Sequence, residues 1–315
     1  MSAEEPTGLL FDIQRFCTTD GPGIRTVVFF KGCNMHCPWC HNPEGIATEP
    51  DLEFDAKKCI GCGRCLNACQ YGAQQMTASG LHTIDRSRCK RCMACVRVCP
   101  AGALQQVGRR YTLEACFAEI AEDIPFYKSS GGGVTLSGGE ALLQADFAAA
   151  LLARCHEAGI HTAIETNLSL PFSEVEKLLP ALDLAMVDIK CMDDAEHQRL
   201  TGESNVQTLE SLGKLSDLRV PLIVRTPVVP GMNDTEENIE ATAMFLSTLK
   251  TLQYYELLSY TPLGCDKAAR IGVRQHRFDL PEKAAMRRLA AVAAKHLRVV
   301  WLDGRLFHSE TGGQL

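Results

Sequence analysis

Eleven of the sixteen cysteines in this chain fall into three tight groups, and this grouping limits what the chain can be more than any other feature. The groups hold three, four and four cysteines. Such close spacing of thiols is typical of metal and iron–sulfur ligation. The five scattered cysteines are interpreted as buried, inert side chains: Cys17, Cys116, Cys155, Cys191 and Cys265.

The bulk composition indicates a globular protein of the cell interior. The chain has 315 residues, of which 46% are hydrophobic and 22% charged. Its net charge of −6 gives no indication of a nucleic-acid or anionic-membrane partner. The acidic first seven residues do not resemble a secretion signal, and no run reaches the ~18 apolar residues of a membrane span. We therefore expect a cytoplasmic location, no nucleic acid and no membrane, in a compartment that disfavours disulfides.

Short apolar runs alternate with amphipathic segments from about residue 134 onward. An earlier run, residues 25–30, is predicted to be the first strand. Further strands are predicted at 134–136, 160–165, 184–189, 220–229, 254–258 and 298–302. Helices are predicted at 142–158, at 172–179, from a cap at Asp234 to about 250, and at 282–296. Repeated β–α units predict an α/β fold with a parallel sheet, in the form of a partial (β/α)6 TIM-like barrel with its chemistry at the carboxyl ends of the strands.

Residues 51–108 interrupt this pattern and are called the cysteine-rich segment below. They are rich in Cys and Gly and poor in long apolar periodicity. We interpret them as a small inserted domain that would need bound metal clusters for its stability. Residues 1–50 and 109–315 would then be the two parts of the barrel.

The first cysteine group, Cys33-x3-Cys37-x2-Cys40, follows directly on the first predicted strand. Three thiolates on one loop can hold three irons of a [4Fe–4S] cluster and leave the fourth iron open for chemistry. Three other kinds of site are alternatives to a [4Fe–4S] cluster here. Cys37 to His41 fits a c-type haem pattern but leaves Cys33 unexplained, and the same stretch fits a thioredoxin-like pair. A zinc site would need His36 or His41 as its fourth ligand.

The C-x3-C-x2-C loop resembles the signature of the radical S-adenosylmethionine superfamily. The preceding Asp-Gly-Pro-Gly-Ile-Arg, residues 20–25, is similar to the glycyl radical enzyme-activating enzymes, relatives of the pyruvate formate-lyase activase. The resemblance covers nearly the whole chain. It implies an oxygen-sensitive, anaerobic oxidoreductase that cleaves S-adenosylmethionine reductively. The resulting 5′-deoxyadenosyl radical would take a hydrogen from a backbone glycine of a partner glycyl radical enzyme.

The second and third groups repeat the bacterial ferredoxin run with x2-x2-x3 spacing. In two-cluster ferredoxins the fourth cysteine of each run binds the other cluster. One predicted [4Fe–4S] cluster is therefore held by Cys59, Cys62, Cys65 and Cys99. The other is held by Cys89, Cys92, Cys95 and Cys69. A pair of zinc sites is the alternative, and Gln70 stands where a ferredoxin has Pro.

Longer members of the activating-enzyme family share such an insert. The resemblance implies two auxiliary clusters, and so three [4Fe–4S] clusters in all, together with S-adenosylmethionine. The expected role of the insert is to relay electrons from a low-potential donor such as flavodoxin or ferredoxin. A purely structural role is left open.

Several residues after predicted strands are similar to family positions around the cosubstrate. The Ser-Gly-Gly-Glu run at 137–140 resembles the family's G-G-E-P motif, with Ala141 in place of Pro. Residues 188–190 match D-[IL]-K, and residue 225 matches a family arginine. The resemblance implies cosubstrate-binding roles for Gly138, Gly139, Glu140, Asp188, Lys190 and Arg225. It implies catalytic roles for Asp20, Asp188 and Lys190, with Asp20 and Arg25 guiding the partner's glycine.

Two further expectations concern a cation and the histidines. The resemblance implies a monovalent cation held by residues after the third and fourth predicted strands, namely Glu165, Thr166, Asn167, Met186 and Asp188. Thr261 stands where family members have a cosubstrate-contacting histidine. His41 is predicted to be the histidine nearest the cluster, and the others to be surface or capping residues.

Two other functions compete with this reading. An electron-transfer polyferredoxin would have no use for Cys33, for the Ser-Gly-Gly-Glu run or for the D-I-K match. A radical S-adenosylmethionine enzyme that modifies another peptide or small molecule is the second alternative. One such type, which matures sulfatases, carries a long cysteine-rich C-terminal extension that this sequence does not show.

Overall fold

A computed structural model describes residues 6–308 of the chain. Its strands are β1 (Thr7–Cys17), β2 (Arg25–Phe30), β3 (Asp51–Phe54), β4 (Gln74–Met76), β5 (His82–Ile84), β6 (Leu104–Val107), β7 (Arg109–Thr112), β8 (Gly133–Gly138), β9 (His161–Thr166), β10 (Leu184–Asp188), β11 (Leu222–Val228), β12 (Leu252–Ser259), β13 (Val300–Leu302) and β14 (Arg305–Leu306). Its helices are α1 (Arg64–Ala68), α2 (Ala94–Arg97), α3 (Leu113–Ala121), α4 (Ile124–Ser130), α5 (Ala145–Glu157), α6 (Phe172–Glu176), α7 (Asp194–Thr201), α8 (Val206–Asp217), α9 (Glu236–Leu246), α10 (Leu263–Ile271) and α11 (Lys283–Ala294).

Ten strands form one mixed sheet, called the main sheet, in the order β14-β13-β12-β11-β10-β9-β8-β2-β1-β7. The pairs from β2 and β8 through to β12 and β13 are all parallel. Antiparallel strands lie at both edges. Every residue of β2 is buried, as expected of a central parallel strand covered on both faces. The predicted α/β fold with a parallel sheet is confirmed.

Alternating side chains of the main sheet face two different environments. One face packs against α5, α8, α9 and α11 in the largest hydrophobic core, which Leu136, Val187 and Val224 join from the sheet side. The other face, called the inner face, carries a small apolar cluster that includes Ala163 and Met186. Because side chains alternate along a strand, residues two positions away from these also lie on the inner face, among them Glu165, Asp188 and Arg225.

Two local predictions were wrong. Residues 25–30 are not the first strand, because β1 precedes β2 and pairs antiparallel with it. Five of the eleven residues of β1 are exposed, four of them polar, so it lacks the apolar run of the central strands. The cap of α9 is Thr235, whose side chain accepts a hydrogen bond from the Asn238 amide, while Asp234 accepts one from the amide of Gly231.

The cysteine-rich segment forms two small antiparallel pairs, β3 with β6 and β4 with β5, together with α1 and α2. Asp51 pairs with Val107, so the two ends of the segment lie side by side. Its buried hydrophobic cluster is small and is formed by Leu52, Cys65, Cys95 and Leu104. Among helices within residues 6–308, none is long and apolar enough to cross a membrane.

Candidate active site

The loop that carries Cys33, Cys37 and Cys40 follows β2 and is fixed by backbone hydrogen bonds. The amide of Cys33 donates to the carbonyl of Ile46 over 3.0 Å, and that of His36 donates to the carbonyl of Thr201 over 2.8 Å. The start of the loop is therefore bonded to Ile46, where the chain leaves the loop, and its middle is bonded to the end of α7. Backbone contacts of the protein thus help to shape this loop.

Burial strongly affects the three thiols of this loop. Burial raises the pKa of Cys33 and of Cys40 to about 12, and it also raises the pKa of Cys37. The Lys190 ammonium opposes the shift at Cys37 and Cys40, so its positive charge lies near both sulfurs. Three half-buried cysteines beside a cation suit ligation of a metal cluster, which takes them as thiolates.

The glycines of the Ser-Gly-Gly-Glu run lie against the cysteine loop. Gly138 has φ +113°, and a Cβ there would lie 2.4 Å from the backbone nitrogen of Phe30. A Cβ on Gly139 would lie 2.1 Å from the carbonyl oxygen of Gly32. The next amide, that of Glu140, donates to this same oxygen over 2.7 Å. Both glycines are thus required by the close approach of this turn to the loop.

The Glu140 side chain is fully buried and bonded to the protein. Its carboxylate accepts hydrogen bonds from the amide of Asn167 at 2.8 Å, the amide of Leu142 at 3.1 Å and the hydroxyl of Thr166 at 2.8 Å. Burial raises the pKa of Glu140, and these donors oppose that shift. Glu140 therefore joins the end of β9 to the turn that supports the cysteine loop.

A buried charge network occupies the inner face of β8 to β12. The Arg225 guanidinium forms an ion pair with Glu165, and its Nε lies 3.5 Å from a carboxylate oxygen of Glu256. The second Glu165 oxygen accepts a 2.5 Å hydrogen bond from the Ser137 hydroxyl. Burial would lower the pKa of Arg225, but Glu165, Asp188 and Glu256 raise it, so this arginine stays cationic.

The sequence did not single out Glu256 as a site residue. A signal was available, because Glu256 is a lone charge within an otherwise apolar and aromatic strand. It pairs in register with Arg225 on the neighbouring strand, which explains the charge.

Asp188 and Lys190 lie next to each other where β10 ends. The Lys190 ammonium pairs with the Asp188 carboxylate, and both side chains are mostly buried. Burial would lower the pKa of Lys190, but Asp188 and the Cys37 thiolate raise it. The pair thus lies near the cysteine loop, while its place beside the cosubstrate and the partner's glycine stays a prediction.

The residues predicted to hold a monovalent cation also bond to protein groups. Glu165 is bonded to Ser137 and Arg225, and the Met186 sulfur lies 3.3 Å from an Arg225 nitrogen. The Thr166 hydroxyl donates to Glu140. The monovalent cation at this place stays a prediction.

The Asp-Gly-Pro-Gly-Ile-Arg segment enters the inner face. Arg25 is fully buried and donates to the Thr135 hydroxyl over 2.6 Å and to the Val134 carbonyl over 2.5 Å. The Thr135 hydroxyl in turn donates to the Asp20 carbonyl over 2.8 Å. Arg25 therefore holds this segment from inside the fold, while the Asp20 side chain stays half-buried.

The histidines only partly follow the prediction. His41 lies beside the loop, with its Nε2 3.1 Å from both the carbonyl and the hydroxyl oxygen of Thr261. That nitrogen is thereby engaged, which disfavours His41 as a zinc ligand. His82 and His197 are buried, contrary to the expectation of surface or capping roles. His197 bonds through Nδ1 to the Glu203 carbonyl at 2.6 Å.

Two cavities of the cysteine-rich segment are each lined by four cysteines. The first cavity is lined by Cys59, Cys62, Cys65 and Cys99. The second cavity is lined by Cys69, Cys89, Cys92 and Cys95. The fourth cysteine of each run thus lies with the first three of the other run. Among the scattered cysteines, Cys116, Cys155 and Cys191 are buried and Cys17 and Cys265 half-buried.

Comparisons with known proteins agree with this geometry. The family model described as the Radical SAM superfamily matches residues 27–246, which is more than half of the chain. The chain therefore belongs to the radical S-adenosylmethionine superfamily. An activating enzyme of (2S)-3-sulfopropanediol sulfolyase from Bilophila wadsworthia (strain 3_1_6) is 41% identical over 298 residues, covering 92% of this chain and 97% of that protein.

Two other relatives have the same kind of function. The indoleacetate decarboxylase activating enzyme of Tractidigestivibacter scatoligenes is 38% identical, with 91% of this chain and 95% of that protein covered. The (2S)-3-sulfopropanediol dehydratase activating enzyme of Klebsiella oxytoca is 40% identical, with 86% and 87% covered. Within its superfamily, the chain belongs to the activating enzymes of glycyl radical enzymes.

Proposed function

We propose that the site at the carboxyl ends of β2, β8 and β10 cleaves S-adenosylmethionine in order to install a radical on a backbone glycine of a partner enzyme. A [4Fe–4S] cluster on Cys33, Cys37 and Cys40 would supply one electron to the sulfonium, so that a C–S bond breaks to give methionine and a 5′-deoxyadenosyl radical. That radical takes one hydrogen atom from the partner's glycine and becomes 5′-deoxyadenosine. The proposal rests above all on three half-buried cysteines of one loop beside the Lys190 ammonium.

The protein's own residues would orient the cosubstrate and the partner. Lys190 and Asp188 offer a cation and an anion next to the loop, which suits a cosubstrate that carries both an ammonium and a carboxylate. Gly138, Gly139 and Glu140 hold the loop in place, and Arg225, paired with Glu165, would line the cosubstrate's site from the inner face. Asp20, half-buried where the 20–25 segment enters, would guide the glycine.

The cysteine-rich segment would hold two further [4Fe–4S] clusters and relay electrons to the site. The crossed sets of cysteines around the two cavities support this, because ferredoxins with two clusters use the same crossing. We propose a domain division at residues 1–50, 51–108 and 109–315, with residues 51–108 inserted into a partial barrel. The electron source would be a low-potential protein such as flavodoxin or ferredoxin.

The first experiment measures 5′-deoxyadenosine from S-adenosylmethionine after anaerobic reconstitution with iron and sulfide. The native protein is compared with a triple variant, Cys33→Ala, Cys37→Ala and Cys40→Ala. The matched control is Cys17→Ala with Cys265→Ala, which changes half-buried cysteines outside the three groups. Product from the native protein and the control but not from the triple variant is expected. Equal product from all three would reject the loop as the reaction site.

A second experiment tests the role of Asp20. The Asp20→Ala variant is expected to lose activation of the partner, read as its glycyl radical signal in electron paramagnetic resonance. It should keep the uncoupled cleavage of S-adenosylmethionine. Equal loss of both would show that Asp20 acts on the cosubstrate rather than on the partner's glycine.

A further inference from the structure

The charges of the cysteine-rich segment differ from those of the rest of the chain. The segment has eight Lys and Arg residues and four Asp and Glu residues, although the whole chain has an excess of acidic side chains. Three of its four acidic residues lie where the segment meets the rest of the protein. Glu53 and Asp55 pair with Arg270 of α10, and Asp51 lies 3.8 Å from the Lys31 ammonium.

The basic residues around the first cavity are left free toward solvent. Four of them are exposed, and they flank the cysteines of that cavity in sequence: Lys57, Lys58, Arg64 and Arg97. Within residues 6–308, none of these four forms an ion pair with an acidic side chain. The segment is thus polarised, with its acidic residues held against the main fold and its basic residues turned outward.

An open groove lies between α1 and α2 at this outward side. Arg64 and Asn67 line it from α1, while Arg97 and Val98 line it from the end of α2. Cys99 lines both this groove and the first cavity. A partner seated in the groove would therefore be separated from the first cavity by one cysteine side chain.

The second cavity is connected by ion pairs to the start of the cysteine loop. Arg91, which lines it, pairs with Asp51 over 2.9 Å, and Asp51 lies 3.8 Å from the Lys31 ammonium. Lys31 is two residues before Cys33. The groove thus shares a cysteine with the first cavity, while the second cavity has contacts that lead to the cysteine loop.

We propose that the groove between α1 and α2 is the docking surface for an acidic one-electron carrier protein, which delivers its electron to the first cavity. This inference rests on the proposed relay function of the segment. Charge complementarity favours the occupant, because an acidic carrier is attracted to Arg64 and Arg97 and repelled by the acidic remainder of the chain. In the transfer, the carrier is oxidised by one electron, the cluster on Cys59, Cys62, Cys65 and Cys99 is reduced by one, and no group moves.

The test uses reduced flavodoxin, an acidic carrier, as the probe. Bleaching of the iron–sulfur absorbance is followed in stopped flow with the reconstituted full-length chain. The double variant Arg64→Glu with Arg97→Glu is expected to lower the bimolecular rate at low ionic strength by at least about tenfold. The difference should shrink as salt is added, since surface charges are then screened.

Two controls separate docking from other effects. Arg288→Glu with Arg298→Glu makes the same charge change at exposed positions on α11 and just after it, and should alter the rate less than about twofold. Photoreduced 5-deazariboflavin, a small uncharged reductant, should reduce all three proteins at one rate. Iron content is measured first and shows whether each variant has its clusters. The double variant Arg64→Gln with Arg97→Gln removes the two positive charges without adding negative ones, so it should slow the reaction with flavodoxin less than the glutamate variant does.

The possible outcomes are distinct. Equal flavodoxin rates for the groove variant and the α11 control would overturn the docking surface, even if the relay is real. A slower reaction of the groove variant with both reductants would also overturn it, because the cluster itself would then be altered. Failure of reduced insert clusters to support 5′-deoxyadenosine formation in the native protein would instead reject the relay function.

Discussion

The cysteine loop of the main fold and the cysteine-rich segment both gather thiols, but their surroundings differ. The loop is tied to β8 and α7 and lies beside a charged inner face that is supported by a large hydrophobic core. The segment has a core of four side chains, two of which are cysteines. A site that a large core supports keeps its geometry without a ligand, whereas the segment depends on what its cysteines bind.

The largest expected effect comes from removing iron. Chelation should raise amide hydrogen exchange in residues 59–104 by at least about a hundredfold, because the segment has little else to hold it. Exchange in β8 to β11 of the same sample should stay nearly unchanged. Mass spectrometry of the exchanged peptides measures both regions at once. Equal exchange in the segment with and without iron would show that its small core is sufficient.

The second comparison sets a buried ion pair against one with an exposed arginine. Arg225→Gln leaves Glu165 and Glu256 unpaired on the inner face and should lower the free energy of unfolding by about 3–5 kcal/mol. Arg91→Gln removes an arginine that is 52% exposed and leaves the buried Asp51 carboxylate beside the Lys31 ammonium, so it should cost about 0–1 kcal/mol. Urea unfolding measures both changes. Similar losses from the two variants would contradict the difference in burial.

A smaller effect is expected at Glu140. Glu140→Gln places an amide NH2 against the backbone donors that now bond to the carboxylate, at a cost of about 1–3 kcal/mol. Glu53→Gln in the segment changes a surface pair with Arg270 and serves as the matched control, within about 0.5 kcal/mol of the native protein. Thermal unfolding compares the two. A neutral Glu140→Gln variant would mean that the turn tolerates loss of the charge.

The smallest effect concerns pH and His197. Burial lowers the pKa of His197 below its ordinary value, so the unfolded chain binds this proton more readily than the folded protein. Stability should therefore fall as pH decreases below about 6.5. His197→Gln should flatten this part of the stability profile, measured by urea unfolding at several pH values. An unchanged slope in the variant would assign the acid sensitivity to other groups.

The sequence predicted the elements that are buried on both faces. Strands β10 and β11 each begin with a continuous apolar run, and such runs can be recognised without knowledge of their neighbours. Strand β1 was missed because its burial alternates irregularly and half of its positions are exposed near the sheet edge. The prediction of a surface or capping role failed at His82, because a hydrogen bond to Gln74 over 2.7 Å allows this polar side chain to be buried inside the segment.

What the sequence by itself determined is the chemistry of the ligands, because iron–sulfur spacing is a local property of a few residues along the chain. It also determined the α/β class, since the periods of helix and strand are local as well. Only the tertiary structure decided which charges meet. Glu256 on β12 and Glu165 on β9 reach Arg225 from opposite sides of β11. Cys99 lies between a groove and a cavity that are formed by residues distant in sequence. Such encounters depend on sheet order and register, which no short stretch of sequence specifies.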